Sequence, residues 1–205
     1  MLQRLTVAFV GDSFVAGVGD LGGAGWTGRL IASSRRPGLD LTGYPLGVRR
    51  NTSVDVAARW EAEVVARVAD AGPTAMVLSF GVNDAVAGPD GRRRVPADVT
   101  VATLDAILAR ADALGLPTLV VGPPPIDDPV VTVRVVELDT LLRASASTAG
   151  VPYVSVVHEL LADPAWTDEV RAGDGAHPGA AGYAALAAVV RPRWDDWLAE
   201  LEHRR

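Results

Sequence analysis

Residues 5–13 read Leu5-Thr6-Val7-Ala8-Phe9-Val10-Gly11-Asp12-Ser13, a short apolar run that ends at a glycine, an acid and a hydroxyl. Apolar runs of this length, bounded by turn-forming or polar residues, predict β-strands. Later runs of the same character predict four further strands: one within Leu39–Val48, then Ala75–Phe80, Pro117–Val121 and Pro152–Val156.

Helical patterns separate these strands. Thr52 is expected to cap a helix that runs through Val68 towards a stop at Gly72. Further helices are predicted at Asp98–Leu114, from Asp128-Pro129 to near Gly150, and from about Gly179 to Glu202. Strands that alternate with helices are typical of an α/β fold with a parallel sheet. Because no repeat, linker or shift in composition divides the chain, we expect a single domain over residues 1–205.

Composition excludes several classes of function. The formal net charge is −6, which argues against a protein that binds the phosphate backbone of nucleic acids. All 19 basic residues are arginines, so the chain can form neither a Walker A phosphate loop nor a lysine Schiff base. With no cysteine and no second histidine at ligand spacing, we expect no zinc site, and no other cofactor is predicted.

The apolar segments bear on location. No window approaches the roughly 18 uninterrupted apolar residues that a membrane-spanning helix needs. The apolar run over residues 5–10 is too short for the core and cleavage site of a signal peptide, and it abuts Gly11 directly. We therefore expect a cytoplasmic protein without a membrane span.

Residues with reactive or turn-forming chemistry follow three of the predicted strands: Ser13, then Gly81-Val82-Asn83-Asp84, then Pro123-Pro124-Pro125. In open parallel sheets, ligands bind in the crevice at the carboxyl ends of the strands. Ser13 is expected to present an exposed hydroxyl where a helix begins, with its backbone N–H turned towards a bound oxyanion. A helix N-cap is the alternative role for Ser13. The G-x-S-x-G nucleophile elbow is absent, since Val15 occupies its last position.

An acid and an imidazole lie three residues apart near the C-terminus, at Asp174 and His177. In a turn ahead of a helix both side chains can project to one side, so the acid can orient the ring. Loop polarity beside Pro178 is the alternative. His158 is a rival base that lacks a matching carboxylate motif. Asn83 offers an amide donor at a strand end, with a turn or capping role as the alternative.

In order and spacing, these segments resemble the SGNH/GDSL hydrolases, whose four blocks are Gly-Asp-Ser, a glycine-containing second block, Gly-x-Asn-Asp and Asp-x-x-His-Pro. The corresponding segments are Gly11-Asp12-Ser13, Gly47-Val48-Arg49-Arg50-Asn51-Thr52, Gly81-Val82-Asn83-Asp84 and Asp174-Gly175-Ala176-His177-Pro178. The similarity extends from residue 5 to about residue 190. It implies a flavodoxin-like α/β/α sandwich with a five-stranded parallel sheet, and a serine ester hydrolase that works through an acyl-enzyme.

The resemblance also implies a role for each motif residue. Ser13 would be the nucleophile, His177 the base and Asp174 its orienting acid. The oxyanion hole would combine the N–H of Ser13, the N–H of Arg50 and the side-chain amide of Asn83. The family commonly has glycine at the place of Arg50, so the N–H persists there only if arginine tolerates the local dihedral angles.

The arginines of the second block are the candidates for substrate binding. Arg49 and Arg50 are expected at the pocket, where a guanidinium can bind a phosphate or carboxylate. Arg92, Arg93 and Arg94 are expected at the rim of the same pocket, and solvated loop charge is the alternative for all five. Small residues over 16–25 favour a small-molecule ester with a short acyl chain. The choice among lysophospholipase, thioesterase, sugar O-deacetylase and short-chain esterase stays open, as does the oligomeric state.

A dinucleotide-binding module is the alternative function. Gly17-Val18-Gly19-Asp20-Leu21-Gly22 matches G-x-G-x-x-G, and Asp40 lies near the spacing of a ribose-binding acid. The first glycine, however, comes about seven residues after the strand, whereas the tight turn of a Rossmann fold lies at the strand end. This alternative also leaves Asn83 and His177 without a role.

Overall fold

Five parallel strands form one sheet in the order β2-β1-β3-β4-β5 in the computed structural model, which describes residues 3–68 and 73–203. The strands are β1 (Gln3–Gly11), β2 (Leu39–Gly47), β3 (Thr74–Ser79), β4 (Thr118–Val121) and β5 (Tyr153–Val154). The predicted five-stranded parallel sheet is therefore confirmed, and the strand ends differ from the prediction by one or two residues.

Helices cover both faces of this sheet. They are α1 (Gly25–Ser33), α2 (Ser53–Val68), α3 (Val82–Ala85), α4 (Ala97–Ala113), α5 (Pro129–Thr148), α6 (Val157–Leu161), α7 (Pro164–Ala172) and α8 (Ala180–His203). The stop predicted for α2 at Gly72 lies outside the described residues. The three-layer α/β/α sandwich is confirmed.

Alternation along β1 explains the two layers of core. Val7 and Phe9 face a cluster that includes side chains of α1, α7 and α8, where four of the five tryptophans lie. Ala8 and Val10 face the opposite cluster, which is built from α2, α4 and α5 around Trp60. Each fully buried Val or Phe of such a strand stabilises the fold by about 1.5–3 kcal/mol. A strand that is apolar on both faces can only occupy the middle of such a sandwich.

Side-chain caps begin two of the helices where the sequence predicts them. The hydroxyl of Thr52 donates to Asp55 Oδ2 at 2.7 Å, and the backbone N–H of Thr52 donates to the same oxygen at 2.9 Å. The N–H of Asp55 donates in turn to the hydroxyl oxygen of Thr52 at 3.4 Å, which completes a capping box with aspartate in the place of glutamate. Asp128 accepts hydrogen bonds from the N–H groups of Val130 and Val131, and a proline follows it as the first helical residue.

The helix expected directly after Ser13 is absent, and that expectation is wrong. Residues 12–19 instead form consecutive turns, and the next helix begins at Gly25. The segment that forms α1 begins with Gly25, Trp26, Thr27 and Gly28. These residues have weak intrinsic helix propensity, so the local sequence does not predict a helix there. Burial of Trp26 and Leu30 against the sheet and α8 stabilises α1 instead. The sequence patterns also predict none of the helices α3, α6 and α7.

The strand order creates a crevice at the carboxyl ends of the strands, between β1 and β3. From β1 the chain crosses to β2 on one side, and β3 then pairs with β1 on the other side. The carboxyl ends of β1 and β3 therefore form a topological switch point, where doubly wound sheets bind ligands. In the described part of the chain, no helix is both long enough and apolar enough to span a membrane.

Candidate active site

Ser13 lies in the turns that follow β1, at the switch point. The side chain of Asp12 accepts a hydrogen bond from the N–H of Phe14 at 3.0 Å, and the N–H of Val18 donates to the carbonyl oxygen of Ser13 at 3.1 Å. These bonds fix the backbone on both sides of Ser13. At 4% relative exposure the residue is buried, so the expectation of an exposed hydroxyl is wrong.

The hydroxyl of Ser13 is covered because it contacts an imidazole. Ser13 Oγ lies 2.7 Å from Nε2 of His177, and Nδ1 of the same ring lies 2.8 Å from Oδ2 of Asp174. The carboxylate accepts only, so Nδ1 carries the proton and Nε2 presents its lone pair to the serine hydroxyl. The structure thus brings together the three residues that the sequence identifies as nucleophile, base and orienting acid.

The carboxylate of Asp174 is held by the turn that it shares with His177. Its Oδ1 accepts hydrogen bonds from the backbone N–H groups of Ala176, at 3.0 Å, and His177, at 2.8 Å. Burial by itself raises the pKa of Asp174, but the hydrogen bonds from the His177 backbone, the His177 ring and Ala176 together lower that pKa to about 2. The acid therefore stays ionised in any solution in which it has to orient the imidazole.

Aromatic and backbone contacts fix the plane of the imidazole. The ring centroid of Phe14 lies 5.0 Å from that of His177, and Phe14 stacks in turn on the buried Trp166 of α7. The backbone at Gly19 also approaches the His177–Pro178 segment so closely that a Cβ there would lie 2.5 Å from the oxygen of Pro178 and 3.1 Å from the Cβ of His177. The glycine is required by this close approach and by its φ of +94°.

Asn83 lies across the switch point, on the short helix α3 that follows β3. Its Nδ2 donates to the carbonyl oxygen of Asn51 at 3.1 Å and makes a longer contact, 3.4 Å, to Oδ2 of Asp12. The amide therefore lies between the residue that precedes Ser13 and the end of the second block. The sequence predicts no role for the side chains of Asn51 and Asp12, although both residues lie inside its motifs.

Two backbone N–H groups belong to the chain neighbours of these acceptors, since Ser13 follows Asp12 and Arg50 precedes Asn51. Within the described residues, the N–H groups of Ser13 and Arg50 donate to no protein acceptor. Arg50 has φ of +66°, the one positive value of a non-glycine residue in the described ranges. Arg50 thus adopts the left-handed backbone conformation, which glycine adopts at a lower conformational energy. The backbone N–H of residue 50 is therefore kept. The arrangement presents two free donors and an amide, a set suited to a developing oxyanion.

Two buried carboxylates lie beneath the site. Burial, together with the nearby charge of Asp84, raises the pKa of Asp12 to about 7, against the lowering effect of the hydrogen bonds from Phe14 and Asn83. Asp84 accepts hydrogen bonds from the N–H of Ser53 and the hydroxyl of Thr100, both at 2.9 Å, and burial raises its pKa as well. Asp84 thereby connects the third block to the start of α2.

A cleft of about 470 Å³ opens beside His177, and its lining includes Val18, Gly19 and Arg49. The guanidinium of Arg49 is exposed and has no hydrogen-bond or ion-pair partner among the described residues. The other predicted arginines differ in their environment. Arg94 donates to the carbonyl oxygen of Arg50, with both distances 3.4 Å, whereas Arg93 pairs with Glu137 on α5 and Arg92 is exposed.

The residues of the dinucleotide alternative serve other contacts. The buried carboxylate of Asp20 accepts hydrogen bonds from the N–H groups of Gly22 and Gly25 and pairs with Arg29. Asp40 lies at the start of β2, paired with Arg4, at the opposite edge of the sheet from Ser13. A ribose-binding acid has to lie at the carboxyl edge, so this placement removes the basis of the alternative.

The remaining candidates do not join the site. The rival base His158 is exposed on α6, and no hydrogen bond or ion pair is found for its ring among the described residues. Within residues 3–68 and 73–203, no three His, Cys, Asp or Glu side chains lie together in a way that could hold a metal ion.

Comparison with known proteins agrees with this architecture. The model of the GDSL-like Lipase/Acylhydrolase family matches residues 9–185, and the chain belongs to that family. An acetylxylan esterase from Geobacillus stearothermophilus is 19% identical with a TM-score of 0.72, over 92% of this chain and 93% of its own. A lipase/acylhydrolase from Enterococcus faecalis is 22% identical with a TM-score of 0.72, over 95% of this chain and 97% of its own. None of the curated proteins matches the chain in sequence.

Membership of the family confirms the predicted class of function. The chain is a serine ester hydrolase of the acylhydrolase type, and the structural similarity confirms the SGNH hydrolase fold. Nothing in the comparisons supports the dinucleotide-binding alternative.

Proposed function

We propose that Ser13 attacks the carbonyl carbon of a carboxylic ester and carries the acyl group as a covalent intermediate. The observation that supports this is the continuous hydrogen-bonded line from Ser13 Oγ through both nitrogens of His177 to Asp174, at 2.7 and 2.8 Å. A serine hydroxyl is a weak nucleophile until an adjacent base takes its proton, and Nε2 of His177 lies where that transfer occurs.

Acylation and deacylation use the same proton carrier. His177 takes the Ser13 proton as Oγ bonds to the carbonyl carbon, and then gives this proton to the departing alcohol oxygen as the ester C–O bond breaks. In the second half-reaction His177 takes a proton from water, whose oxygen attacks the acyl carbon. The acid leaves and the proton returns to Ser13 Oγ. Asp174 stabilises the imidazolium that exists at each transfer.

The oxyanion of each tetrahedral intermediate is bound by the N–H groups of Ser13 and Arg50 and by the amide of Asn83. The two N–H groups are free of protein acceptors in the described structure, which supports their role. Asn83 has to turn one proton from its longer, 3.4 Å contact with Asp12 towards the oxyanion. A bond of that length is weak, so the exchange costs little.

The substrate is a small ester with a short acyl chain. The cleft of about 470 Å³ beside His177 accommodates a small molecule. The acetylxylan esterase with a similar fold removes acetyl groups according to its name, which supports the same preference here. Arg49, which lines this cleft, binds an anionic group where the substrate carries one, and the neighbouring Arg50 is the second candidate.

Labelling with a fluorophosphonate tests the acyl-enzyme directly. Wild-type protein should be labelled at Ser13, and Ser13→Ala should lose both labelling and a factor on the order of 10³ to 10⁶ in kcat. Ser33→Ala is the matched control, because Ser33 is an exposed residue of α1. A panel of p-nitrophenyl esters from C2 to C12 then ranks the acyl chains. A folded Ser13→Ala protein with full esterase activity contradicts the proposal.

Three expectations stay predictions from the sequence. They are that residues 1–205 form a single domain, that the protein is cytoplasmic, and that it has no nucleic-acid partners.

A further inference from the structure

Arg59 projects from α2 towards the carboxyl edge of the sheet, and its side chain is 18% exposed. Its Nε donates to Oδ1 of Asn51 at 2.7 Å. One terminal nitrogen donates to the carbonyl oxygen of Gly11 at 2.7 Å, and the other donates to the carbonyl oxygen of Leu46 at 3.1 Å and to Glu63 at 2.8 Å. All three guanidinium nitrogens are therefore in use.

These acceptors belong to the segments that carry the proposed oxyanion donors. Gly11 ends β1 two residues before Ser13, and Leu46 lies at the end of β2, just before the second block. Asn51 follows Arg50 directly. Both ends of the Arg50 turn are thus tied to one rigid planar group, which is anchored on a helix of 16 residues.

The same contacts extend to Asn83. The carbonyl oxygen of Asn51 accepts the 3.1 Å hydrogen bond from Asn83 Nδ2, while the Asn51 side chain accepts from Arg59. Asn51 therefore transmits the position of Arg59 to the amide across the switch point. A misplacement of about 1 Å in a catalytic group can cost a factor on the order of 10² in rate.

We propose that Arg59 is a positioning residue that holds Asn51, and through it the Arg50 N–H and the Asn83 amide, at the place where the oxyanion forms. This inference rests on the proposed function of the same site. Arg59 itself contacts no substrate. Its five donors and planar geometry suit three acceptors on separate segments, which a lysine ammonium cannot satisfy together.

Arg59→Met is the principal variant, measured on p-nitrophenyl acetate. We expect kcat to fall by a factor on the order of 10 to 10², with KM changed less than about threefold, because the oxyanion exists only in the transition state. Arg67→Met is the matched control: Arg67 lies two turns further along α2, where it donates to the backbone oxygen of Glu63. That control should keep wild-type kcat.

A double-mutant cycle separates positioning from general loss of structure. In an Asn83→Ala background, Arg59→Met should cost clearly less in kcat than it costs in the wild type, because its route to the Asn83 amide is already lost and only its effect on the Arg50 turn remains. Additive losses in kcat would show that Arg59 does not act through Asn83, and would overturn the inference that it positions this amide.

Two further variants serve if Arg59→Met does not fold. Arg59→Lys keeps the charge without the fork, and Asn51→Ala removes only the bond to Nε. Each should lower kcat while KM holds, and a wild-type kcat in both overturns the inference. Labelling of wild-type Ser13 by a fluorophosphonate reports on the proposed function separately. If labelling succeeds and the Arg59 variants keep kcat, the positioning role alone is wrong.

Discussion

Asn83 Nδ2 lies 3.1 Å from the backbone oxygen of Asn51, so the only two asparagines of the chain meet at the switch point. One comes from the helix that follows β3 and the other from the turn that follows β2, and β1 with Ser13 lies between these strands. The contact therefore spans the strand that carries the nucleophile. It places the side-chain donor beside the segment that carries the second-block N–H.

Asn83→Ala tests the part of this arrangement that acts on the transition state. Removing the amide should lower kcat by roughly 10² to 10³, with KM little changed, since the charge that the amide meets is absent from the bound ester. Steady-state kinetics on a short-chain p-nitrophenyl ester provide the measurement. A raised KM with a steady kcat would instead make Asn83 a substrate-binding or structural residue.

The sequence predicts the sheet well because each strand signal is local. The run 5–10 is apolar on both faces and needs no information from the rest of the chain to be identified as a buried strand. β5 is shorter than predicted, since only Tyr153 and Val154 pair with β4. Helix α1 escapes prediction because tertiary burial of Trp26 and Leu30, and no local propensity, stabilises it.

The residues of the site also differ in how well the sequence predicts them. Motif spacing alone identifies Asp174 and His177 as candidates, and the structure places His177 beside Ser13 and Asp174 beside His177. Arg59 gives no such signal, because in a chain whose basic residues are all arginine a single guanidinium is inconspicuous. The role proposed for Arg59 depends on hydrogen bonds from its side chain on α2 to three separate segments of the chain. The burial of Asp12 likewise follows from packing that no local pattern reveals.

The dependence of activity on pH should show one essential base. His177 accepts the serine proton only when its ring is neutral, so kcat/KM should fall when the pH is lowered. Asp174 cannot cause this fall, because its pKa is lowered to about 2. Asp12, with a pKa raised to about 7, is the competing group, and Asp12→Asn removes it. An acid limb that persists in this variant assigns the limb to His177, and one that disappears assigns it to Asp12.

Burial of Asp12 should also appear in the stability of the fold. Its pKa is about 7 in the folded protein and 3.8 in an exposed carboxyl, so between these values the folded state holds a proton that the unfolded chain has released. The free energy of unfolding therefore falls as pH rises from about 4 to about 7, and the carboxylate destabilises the fold in full above that range.

Asp12→Asn removes this titration while it keeps an acceptor for the N–H of Phe14. The melting temperature of Asp12→Asn minus that of the wild type should be several degrees larger at pH 8.5 than at pH 5. One kcal/mol of stability corresponds to roughly 2–4 °C in a domain of this size. Thermal unfolding followed by circular dichroism at the two pH values gives the comparison. A difference between variant and wild type that does not change with pH would contradict the raised pKa.

The two arginines of the second block should separate into different roles when each is replaced. Arg49 lines the cleft beside His177 and has no hydrogen-bond or ion-pair partner within residues 3–68 and 73–203, whereas Arg50 carries a backbone N–H at φ of +66°. We expect Arg49→Ala to lower kcat/KM for an anionic ester on the order of tenfold relative to a matched neutral ester, because a guanidinium in the cleft binds a carboxylate or phosphate. Arg92→Ala, in an exposed loop, is the control.

Arg50 is tested through its backbone. Arg50→Gly keeps the N–H and removes the steric cost of the left-handed conformation, so kcat should hold and the free energy of unfolding should rise by up to about 1 kcal/mol. Arg50→Pro removes the N–H and cannot adopt a positive φ, so kcat should fall by roughly 10² or more. If Arg50→Gly instead loses activity on the anionic ester alone, the guanidinium of Arg50 binds the substrate. Equal losses on both esters would mean that its side chain shapes the oxyanion turn.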